Sequence, residues 1–378
     1  MSKKAYKDIK KWFEKTTDQC FRLGGLAGTG KTTLIKNIHE HLKLNREDIA
    51  YAAYTGKAAD VMRKKGLIGA STIHGLMYAP IIDEDGMLTG FDRVGINREI
   101  KLVVIDEASM VNLEIHEDLL AEDVRILYVG DYGQLPPVKS EFNLMKKDDL
   151  DYALTKIHRQ AKDSGILQLA MQARMGHNIK PGTYGKNKDA YVANSINVDS
   201  IMKADQILCG KNDTRHMLNR VYREQLGYDD TFSEGLNAGE KIIINCNNKK
   251  FSIYNGQQFI VLKRFGSKAN PKMIVMEPHD YYNTDVKLNQ AIKKYPSKLT
   301  RVFPFRFGNE FTDKSHAQID YGYCVTVHKA QGSEWEKVIV FDENYIFREN
   351  AKRWLYTAVT RASEKLIVVK NITIKGIC

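Results

Sequence analysis

The feature that most constrains this chain is a glycine-rich turn between a predicted strand and a predicted amphipathic helix. Residues 25–32 read Gly-Leu-Ala-Gly-Thr-Gly-Lys-Thr and match the pattern G-x-x-x-x-G-K-[ST]. Cys20–Leu23 before the turn is a short apolar run, and apolar residues from Leu34 to Leu42 recur at helical spacing after it. Such a turn at a helix start presents backbone N–H groups to phosphate, so the segment predicts a P-loop in an α/β fold.

The P-loop residues have distinct expected roles. Lys31 would reach the β- and γ-phosphates of ATP, and the Thr32 hydroxyl would hold Mg²⁺. The alternative, a glycine-rich turn that binds nothing, accounts for the pattern but not for its place between a strand and a helix. The expected nucleotide-binding residues here are Gly28, Thr29, Gly30, Lys31, Thr32 and Thr33.

Two further predicted strands end in residues suited to nucleotide hydrolysis. Leu102–Ile105 is followed by Asp106, which would share the Mg²⁺ with the P-loop threonine, and by Glu107, which could polarise the attacking water. Ile126–Val129 leads into a loop that contains Gln134. Because parallel strands bring their carboxyl ends to one crevice, Gln134 is expected near the γ-phosphate. Solvated strand ends are the alternative, and a shared α/β unit with the P-loop favours the functional interpretation.

Composition describes an ordinary folded chain with a basic bias. The 378 residues include 57 Lys and Arg against 46 Asp and Glu, a formal charge of +11. This bias favours a polyanionic partner, nucleic acid first and an acidic membrane second. Five widely spaced cysteines without a CxxC pair argue against a disulfide framework or a structural zinc site. No apolar run has the length of a membrane span or signal peptide, and the cysteine usage fits a reducing cytosol, so a cytoplasmic protein is expected.

Periodicity divides the chain into two α/β regions, each with an insertion. Ile81–Leu88 has the form of a β-hairpin with an Asp-Gly turn, and Ser252–Leu262 has an Asn-Gly hairpin signal within a strand-rich stretch. A Gly/Asn/Lys-rich segment, 176–188, is expected to be a surface loop. The predicted domains are a first α/β domain at 1–77 and 101–148, a hairpin insertion at 78–100, a second α/β domain at 149–235 and 321–378, and a β-rich insertion at 236–320.

Eight short motifs follow one another in a fixed order across residues 20–370. Together they resemble the motifs of superfamily 1 helicases, subgroup B, of the RecD and phage Dda kind. The resemblance implies two RecA-like motor domains with parallel sheets, a duplex-splitting pin in the first insertion and a small SH3-like barrel in the second. The motifs are residues 25–32, 54–59, 71–76, 106–110, 130–137, 154–160, 326–334 and 355–362.

The resemblance also implies roles around the nucleotide. Arg159 and Arg361 match the two arginines that reach the γ-phosphate from the second motor domain, where a planar, permanently charged group stabilises the transferring phosphoryl. Gly332 and Glu334 match positions at the γ-phosphate side and the ribose. A glutamine that reads adenine is expected upstream of the P-loop, with Gln19 the nearest candidate.

On the nucleic-acid side, the resemblance implies hydroxyl, lysine and histidine contacts to a single strand and an apolar tip on the pin. For each histidine, a satisfied structural role is the alternative. For the pin, the alternative is a solvated surface hairpin. The implied strand contacts are Thr55, Lys57, Thr72, His74, Thr326 and His328, and the implied pin residues are Ile82, Met87, Leu88 and Phe91.

The leading expectation is an ATP- and Mg²⁺-dependent DNA helicase that moves on single-stranded DNA and unwinds duplex. The 5′ to 3′ direction and a bacterial or phage-infected host cell are what the resemblance implies. Its expected partners are single strands, single/double-strand junctions and replication or recombination proteins, with a monomeric state and no membrane. The alternatives are a single-strand-stimulated translocase without strand separation, a P-loop small-molecule kinase, and a non-catalytic binding module.

Overall fold

The computed structural model of the chain describes residues 3–82, 88–137, 142–156, 163–228, 236–246, 248–251, 253–267, 270–282, 300–308 and 315–376. For residues 80–82, 88–91, 279 and 280 the description covers the backbone alone. The helices described are α1 Lys3–Lys15, α2 Lys31–Lys36, α3 Ile38–Leu42, α4 Gly56–Lys64, α5 Ile73–Met77, α6 Leu113–Leu120, α7 Gly165–Met175, α8 Val198–Met202, α9 Asn212–Gln225, α10 Pro278–Tyr282 and α11 Ala351–Val359.

The strands described are β1 Cys20–Gly25, β2 Ile49–Ala53, β3 Ser71–Thr72, β4 Tyr78–Ile82, β5 Leu88–Arg93, β6 Leu102–Asp106, β7 Arg125–Gly130, β8 Tyr152–Leu154, β9 Gly182–Tyr184, β10 Ala190–Ala193, β11 Ile196–Asn197, β12 Gln206–Cys209, β13 Lys241–Ile244, β14 Gln258–Gly266, β15 Pro271–Met276, β16 Thr300–Phe307, β17 Ala317–Tyr321, β18 Cys324–Thr326, β19 Trp335–Phe341, β20 Ala362–Val369 and β21 Ile374–Lys375. They fall in two compact units, residues 1–194 with 331–370 and residues 195–330 with 371–378.

The first unit contains a parallel sheet of order β3-β2-β6-β7-β1-β8. Its central strands are apolar on both faces because helices cover both, and Leu102–Ile105 of β6 is fully buried. The N-terminal helix α1 packs on this layer through Tyr6, Ile9 and Trp12, at the spacing of one helical face. The three strands predicted before residue 150 are confirmed, as is their parallel pairing.

A second sheet of the first unit has the order β19-β20-β10-β9, parallel except for β9. Two details differ from the sequence prediction. Residues 182–184, predicted as loop, form β9. Residues 152–154, which were assigned to the second domain, form β8 beside β1 in the first sheet. The remaining motor-domain boundaries stay a prediction.

The second unit combines a parallel pair, β12 with β18, and a closed barrel of β13-β14-β15-β16-β17. The barrel core is aromatic and aliphatic, with Phe259, Met273 and Phe303 fully buried. A small β-barrel insertion is therefore confirmed.

The hairpin predicted at 252–262 is wrong in its pairing, because β14 pairs with β13 and Ile253 makes an isolated bridge with Asn248. The apolar run of β13 offers β14 a longer and more buried partner.

The predicted hairpin in the first unit is confirmed at the level of its strands, since β4 and β5 pair antiparallel with Tyr78 opposite Arg93. The turn 83–87, including Met87, lies outside the described residues, as do the side chains of Ile82, Leu88 and Phe91. At the base, Arg93 pairs with Glu122 at 2.6 Å and with Asp118 at 3.5 Å, and Tyr78 Oη donates to Asp118. The hairpin is therefore tied to α6 and the residues that follow it.

Candidate nucleotide site

The P-loop follows β1 and turns sharply at two glycines. Gly28 and Gly30 have φ of 75° and 87°, in the left-handed region that a side chain disfavours. Lys31 opens α2, and its ammonium donates to the carbonyls of Gly25 at 2.7 Å and Leu26 at 3.1 Å. The Thr29 hydroxyl also donates to Leu26, at 2.7 Å, which gives it a role in shaping the loop. Thr32 lines the cavity described below.

Two carboxylates stand at the carboxyl end of β6. Burial raises the pKa of Asp106 and of Glu107, while the nearby Lys31 opposes the shift at Asp106 and Arg361 opposes it at Glu107. Glu107 has φ of 53°, a conformation that costs a residue with a side chain about 1 kcal/mol. Its backbone N–H donates to the Asp106 carboxylate at 2.9 Å. Such local strain at Glu107, beside a second buried acid, is typical of a functional site.

The donor set at this strand end fits Mg²⁺. A hydroxyl, Thr32, and a desolvated carboxylate, Asp106, line one cavity and supply the hard oxygen ligands that Mg²⁺ prefers. The cavity is lined by four acidic side chains and three basic ones, which are Asp106, Glu107, Asp131 and Glu334 against Lys31, Lys65 and Arg361. A divalent cation would offset the excess negative charge and the desolvation of the carboxylates.

The loop after β7 brings two groups to the same place. Asp131 is 1% exposed, lies 3.7 Å from the Lys31 ammonium and accepts a hydrogen bond from the Gly133 N–H at 2.9 Å. Gln134 lines the cavity, and its buried Oε1 has no hydrogen-bond partner among the residues that the structure describes. An unsatisfied buried amide oxygen is costly, so Gln134 is suited to accept from a water or ligand in the cavity. Sequence reasoning missed Asp131, although it directly follows a buried strand, as Asp106 does.

Arg361 is buried and fixed by its neighbours. Its guanidinium donates to the carbonyls of Thr357 at 3.1 Å and Ser333 at 3.0 Å, and the side chain lines the cavity. Gly332 has φ of 70°, and a Cβ there would stand 3.1 Å from the Thr55 hydroxyl. Backbone approach of this closeness requires glycine. Glu334 lies 3.7 Å from Lys65, the residue after α4.

These groups share one cavity of about 510 Å³, a size suited to a nucleotide. One wall is α4, through Ala58 and Met62, which sequence reasoning did not assign to the site. Of the predicted nucleotide residues, Thr33 is exposed on α2, and Arg159 lies outside the described residues. The predicted residues that line the cavity are Gly28, Lys31, Thr32, Asp106, Glu107, Gln134, Gly332, Glu334 and Arg361.

The prediction for Gln19 is wrong. Gln19 precedes β1 at the end of the strand opposite the P-loop, and its amide donates to the carbonyl of Glu122 at 2.5 Å. Five strand residues at ~3.3 Å each separate it from the P-loop, too far for contact with a base bound there.

The implied strand contacts of the first unit already have structural partners. Thr55 caps α4 and Thr72 caps α5, each through its hydroxyl, which accepts a backbone N–H. The Lys57 ammonium lies 4.1 Å from the centre of the Trp335 ring, and His74 stacks on Tyr78. These contacts orient the side chains at the starts of two helices.

The implied contacts of the second unit lie beside the carboxyl end of β18. Thr326 ends the strand, and burial lowers the pKa of His328, which favours the neutral ring. Next to it, burial lowers the pKa of Lys329 to about 8, and its ammonium donates to the amide oxygen of Asn245. Strand contact by Thr326 and His328 stays a prediction.

Comparison with known proteins places this geometry in a family. A family model of an AAA domain matches residues 9–191, and one of a UvrD-like helicase C-terminal domain matches residues 321–369, together more than half of the chain. An uncharacterised protein of Acanthamoeba polyphaga mimivirus is 33% identical, over 94% of this chain and 96% of its own. The ATP-dependent DNA helicase Pif1 of Campylobacter jejuni is 26% identical, over 92% of this chain and 87% of its own.

The ATP-dependent RecD2 DNA helicase of Deinococcus radiodurans is 27% identical over 91% of this chain. The chain belongs to the superfamily 1B helicases of the RecD and Pif1 type. It spans 46% of the length of RecD2 and 37% of that of an uncharacterised relative from Methanocaldococcus jannaschii. The crystal structure of Bacteroides Pif1 bound to ssDNA covers all of this chain and 93% of its own, with a TM-score of 0.55 and 17% identity, and therefore supports the helicase fold.

Within this RecD/Pif1-type chain, the described residues contain no helix long and apolar enough to cross a bilayer.

Proposed function

We propose that the chain is an ATP-driven DNA helicase that moves 5′ to 3′ along a single strand and separates duplex. The observation that carries this proposal is the convergence of Lys31, Asp106, Glu107, Gln134 and Arg361 on one cavity. A P-loop kinase would need Lys31 and Asp106. The addition of Gln134 and the buried Arg361 is typical of a motor that hydrolyses ATP.

The geometry supports the following division of roles. The P-loop amides and Lys31 bind the phosphates, and Mg²⁺ held by Thr32 and Asp106 would neutralise charge on the β- and γ-oxygens. Glu107 accepts the proton of the attacking water. Gln134 orients that water through its unpaired Oε1, and Arg361 stabilises charge on the transferring phosphoryl group.

One helix supports a link between hydrolysis and the DNA strand. Helix α4 begins at the proposed strand contacts Thr55 and Lys57, and further along it Ala58 and Met62 line the nucleotide cavity. A shift of α4 when the cavity fills would therefore move both proposed contacts. Domain closure and reopening in each ATP cycle would advance the strand. The 5′ to 3′ direction rests on the family resemblance.

Strand displacement on duplexes with either a 5′ or a 3′ overhang tests activity and direction together. We expect unwinding of the 5′-overhang substrate only, with ATP and Mg²⁺, and ATP hydrolysis stimulated by single-stranded DNA. Unwinding from the 3′ overhang would contradict the direction. DNA-stimulated hydrolysis without unwinding would indicate a translocase, and hydrolysis indifferent to DNA would support the kinase alternative.

Substitution of Arg361 tests the composition of the site. Arg361→Ala is expected to lower DNA-stimulated hydrolysis by about 10³-fold, as for loss of an arginine finger. Lys352→Ala is the matched control, since Lys352 is exposed on α11, which ends shortly before Arg361. Unchanged hydrolysis in Arg361→Ala would contradict the proposed role.

A further inference from the structure

A tyrosine in the last helix joins two loops of the nucleotide site through a single hydroxyl. Tyr356 on α11 is 1% exposed. Its oxygen accepts a hydrogen bond from the Ala27 N–H of the P-loop at 2.9 Å, and its O–H donates to the Asp131 carboxylate at 2.7 Å. Burial and the adjacent carboxylate raise the pKa of Tyr356 well above its ordinary value, so the donor proton is retained.

The carboxylate that Tyr356 contacts is also the counterion of the P-loop lysine. Asp131 is 1% exposed, and among the described residues its carboxylate faces the Tyr356 hydroxyl, the Gly133 N–H at 2.9 Å and the Lys31 ammonium at 3.7 Å. A buried carboxylate that loses one donor depends more strongly on those that remain. Asp131 and the phosphates of ATP would compete for the same ammonium.

The fit around the tyrosine is close on the loop side as well. A Cβ at position 133 would stand 2.9 Å from the Tyr356 ring, so the loop can pass this close to the ring only with glycine at that position. The neighbouring Thr357 hydroxyl accepts from the Leu135 N–H at 3.0 Å. Two successive residues of α11 thus fix the loop that contains Asp131 and Gln134, and the same helix leads to Arg361.

We propose that Tyr356 is a positioning residue that sets how readily Lys31 leaves Asp131 for the phosphates of ATP. This inference rests on the proposed function. With the hydroxyl present, Asp131 is satisfied by donors other than Lys31, and the P-loop is held by Ala27. Without it, Asp131 draws Lys31 more strongly and the Ala27 N–H loses its acceptor, so nucleotide binding weakens while a bound nucleotide is still hydrolysed.

The test compares Tyr356→Phe, Asp131→Asn and the double variant. Tyr128→Phe is the matched control, because Tyr128 is equally buried in the same unit and its hydroxyl contacts His116, which does not line the cavity. The measurements are the Kd for a fluorescent non-hydrolysable ATP analogue with Mg²⁺, and KM and kcat of DNA-stimulated hydrolysis. Tyr356→Phe is expected to raise Kd and KM about tenfold, as for loss of a hydrogen bond to a charged group, with kcat changed far less.

The double variant separates positioning from simple packing. If Tyr356 acts through Asp131, the tenfold effect shrinks strongly in the Asp131→Asn background. An equal effect in both backgrounds, or a Tyr356→Phe protein that behaves like Tyr128→Phe, would overturn the proposal. If the Tyr356→Phe protein does not fold, the Asp131→Asn variant alone tests the proposal. Removal of the Asp131 charge frees Lys31 for the phosphates and is expected to lower the Kd for the ATP analogue, and a raised Kd would refute the competition. Failure of the unaltered protein to bind nucleotide would instead refute the proposed function.

Discussion

Lys31 has two sets of partners at the residue scale. It donates to the Gly25 and Leu26 carbonyls and faces the Asp131 carboxylate, and it is the group proposed to reach the phosphates. Its hydrogen bonds to the two carbonyls keep the P-loop folded. When ATP binds, Lys31 would exchange these partners for the phosphates.

The first prediction follows from the separation of Lys31 from the proposed strand contacts. Lys31→Ala is expected to lower ATP hydrolysis by about 10²–10³-fold, as for removal of one preorganised charge-stabilising donor. Affinity for single-stranded DNA, measured by fluorescence anisotropy without nucleotide, should stay unchanged. Lys36→Ala, exposed on the same short helix, is the control. Loss of both activities in a folded Lys31→Ala protein would contradict separate sites.

A second prediction concerns Lys241, which is buried in the second unit. Its ammonium donates to the Asp205 carbonyl at 2.6 Å and the Gln206 side chain at 3.0 Å, and burial lowers its pKa to about 8. The unfolded chain holds this proton up to its ordinary pKa of 10.5, so between pH 8 and 10.5 the unfolded state binds more protons. Stability therefore rises with pH across that window, by about 3 kcal/mol from this group.

Urea unfolding at several pH values between 8 and 10 checks this sign. Lys241→Met should lose most of the rise in the free energy of unfolding, whereas Lys272→Met, exposed on β15 of the same barrel, should keep it. Identical pH profiles for the Lys241→Met and unaltered proteins would show that Lys241 stays charged in the folded state.

At the scale of elements, the β4-β5 hairpin interrupts the first unit between α5 and β6. A pin that splits duplex must be stiff, and the base of this one is held by Arg93, Tyr78 and the acids Asp118 and Glu122. Glu122 also accepts the Ile96 N–H at 2.9 Å, just where the chain returns to the sheet. The anchoring supports the pin proposal, while the acidic residues Asp83–Asp85 would repel DNA phosphates.

Replacement of residues 82–90 by a short Gly/Ser linker should spare DNA-stimulated ATP hydrolysis and cripple unwinding. The physical reason is that no described residue of the hairpin lines the nucleotide cavity. Glu122→Ala, which loosens the base and leaves the tip sequence intact, should give a smaller loss in the same strand-displacement assay. Normal unwinding by the linker variant would refute the pin.

Elements with strong local signals were predicted from sequence, and those decided by tertiary pairing were not. Strands such as Leu102–Asp106 are continuous apolar runs, so burial on both faces could be inferred. Tyr152–Leu154 is three residues long and has no such pattern; only its place beside β1 makes it a strand. Within the predicted β-rich insertion no individual strand is predicted over residues 263–318, and the pairing that closes the barrel, β13 with β17, joins the two ends of the insertion.

The same distinction holds within the site. Lys31, Asp106 and Gln134 stand at fixed offsets from strands, which a sequence displays. Tyr356 and Asp131 are separated by 225 residues in the sequence, and no local sequence pattern predicts that the buried Tyr356 hydroxyl will bond two loops.

At the scale of the whole molecule, the charge of +11 predicts steep salt dependence of single-strand binding. Each phosphate neutralised contributes a slope of about −0.7 in log K against log[salt], so four contacts give roughly −3. Lys57→Ala should reduce the slope by about 0.7, while Lys64→Ala, whose ammonium pairs with Asp60 at 3.2 Å on the same helix, should leave it unchanged. Titrations of single-stranded DNA at four salt concentrations measure the slope for the unaltered protein and for both variants. A slope near zero would show that the positive charge does not contribute to DNA binding.

The barrel begins and ends at neighbouring points, since Ile242 on β13 is the register partner of Tyr321 on β17. The chain therefore leaves and re-enters the barrel at adjacent positions, as it would in a tight turn. The entropic cost of bringing the two ends of this long insertion together is offset by the folding of the barrel itself. An insertion whose ends are joined in this way can change length in its far loops while β13 and β17 stay paired. Lys241 of β13 also donates to Asp205 and Gln206 at the start of β12, so this end of the barrel is held and changes of length are confined to the loops away from it.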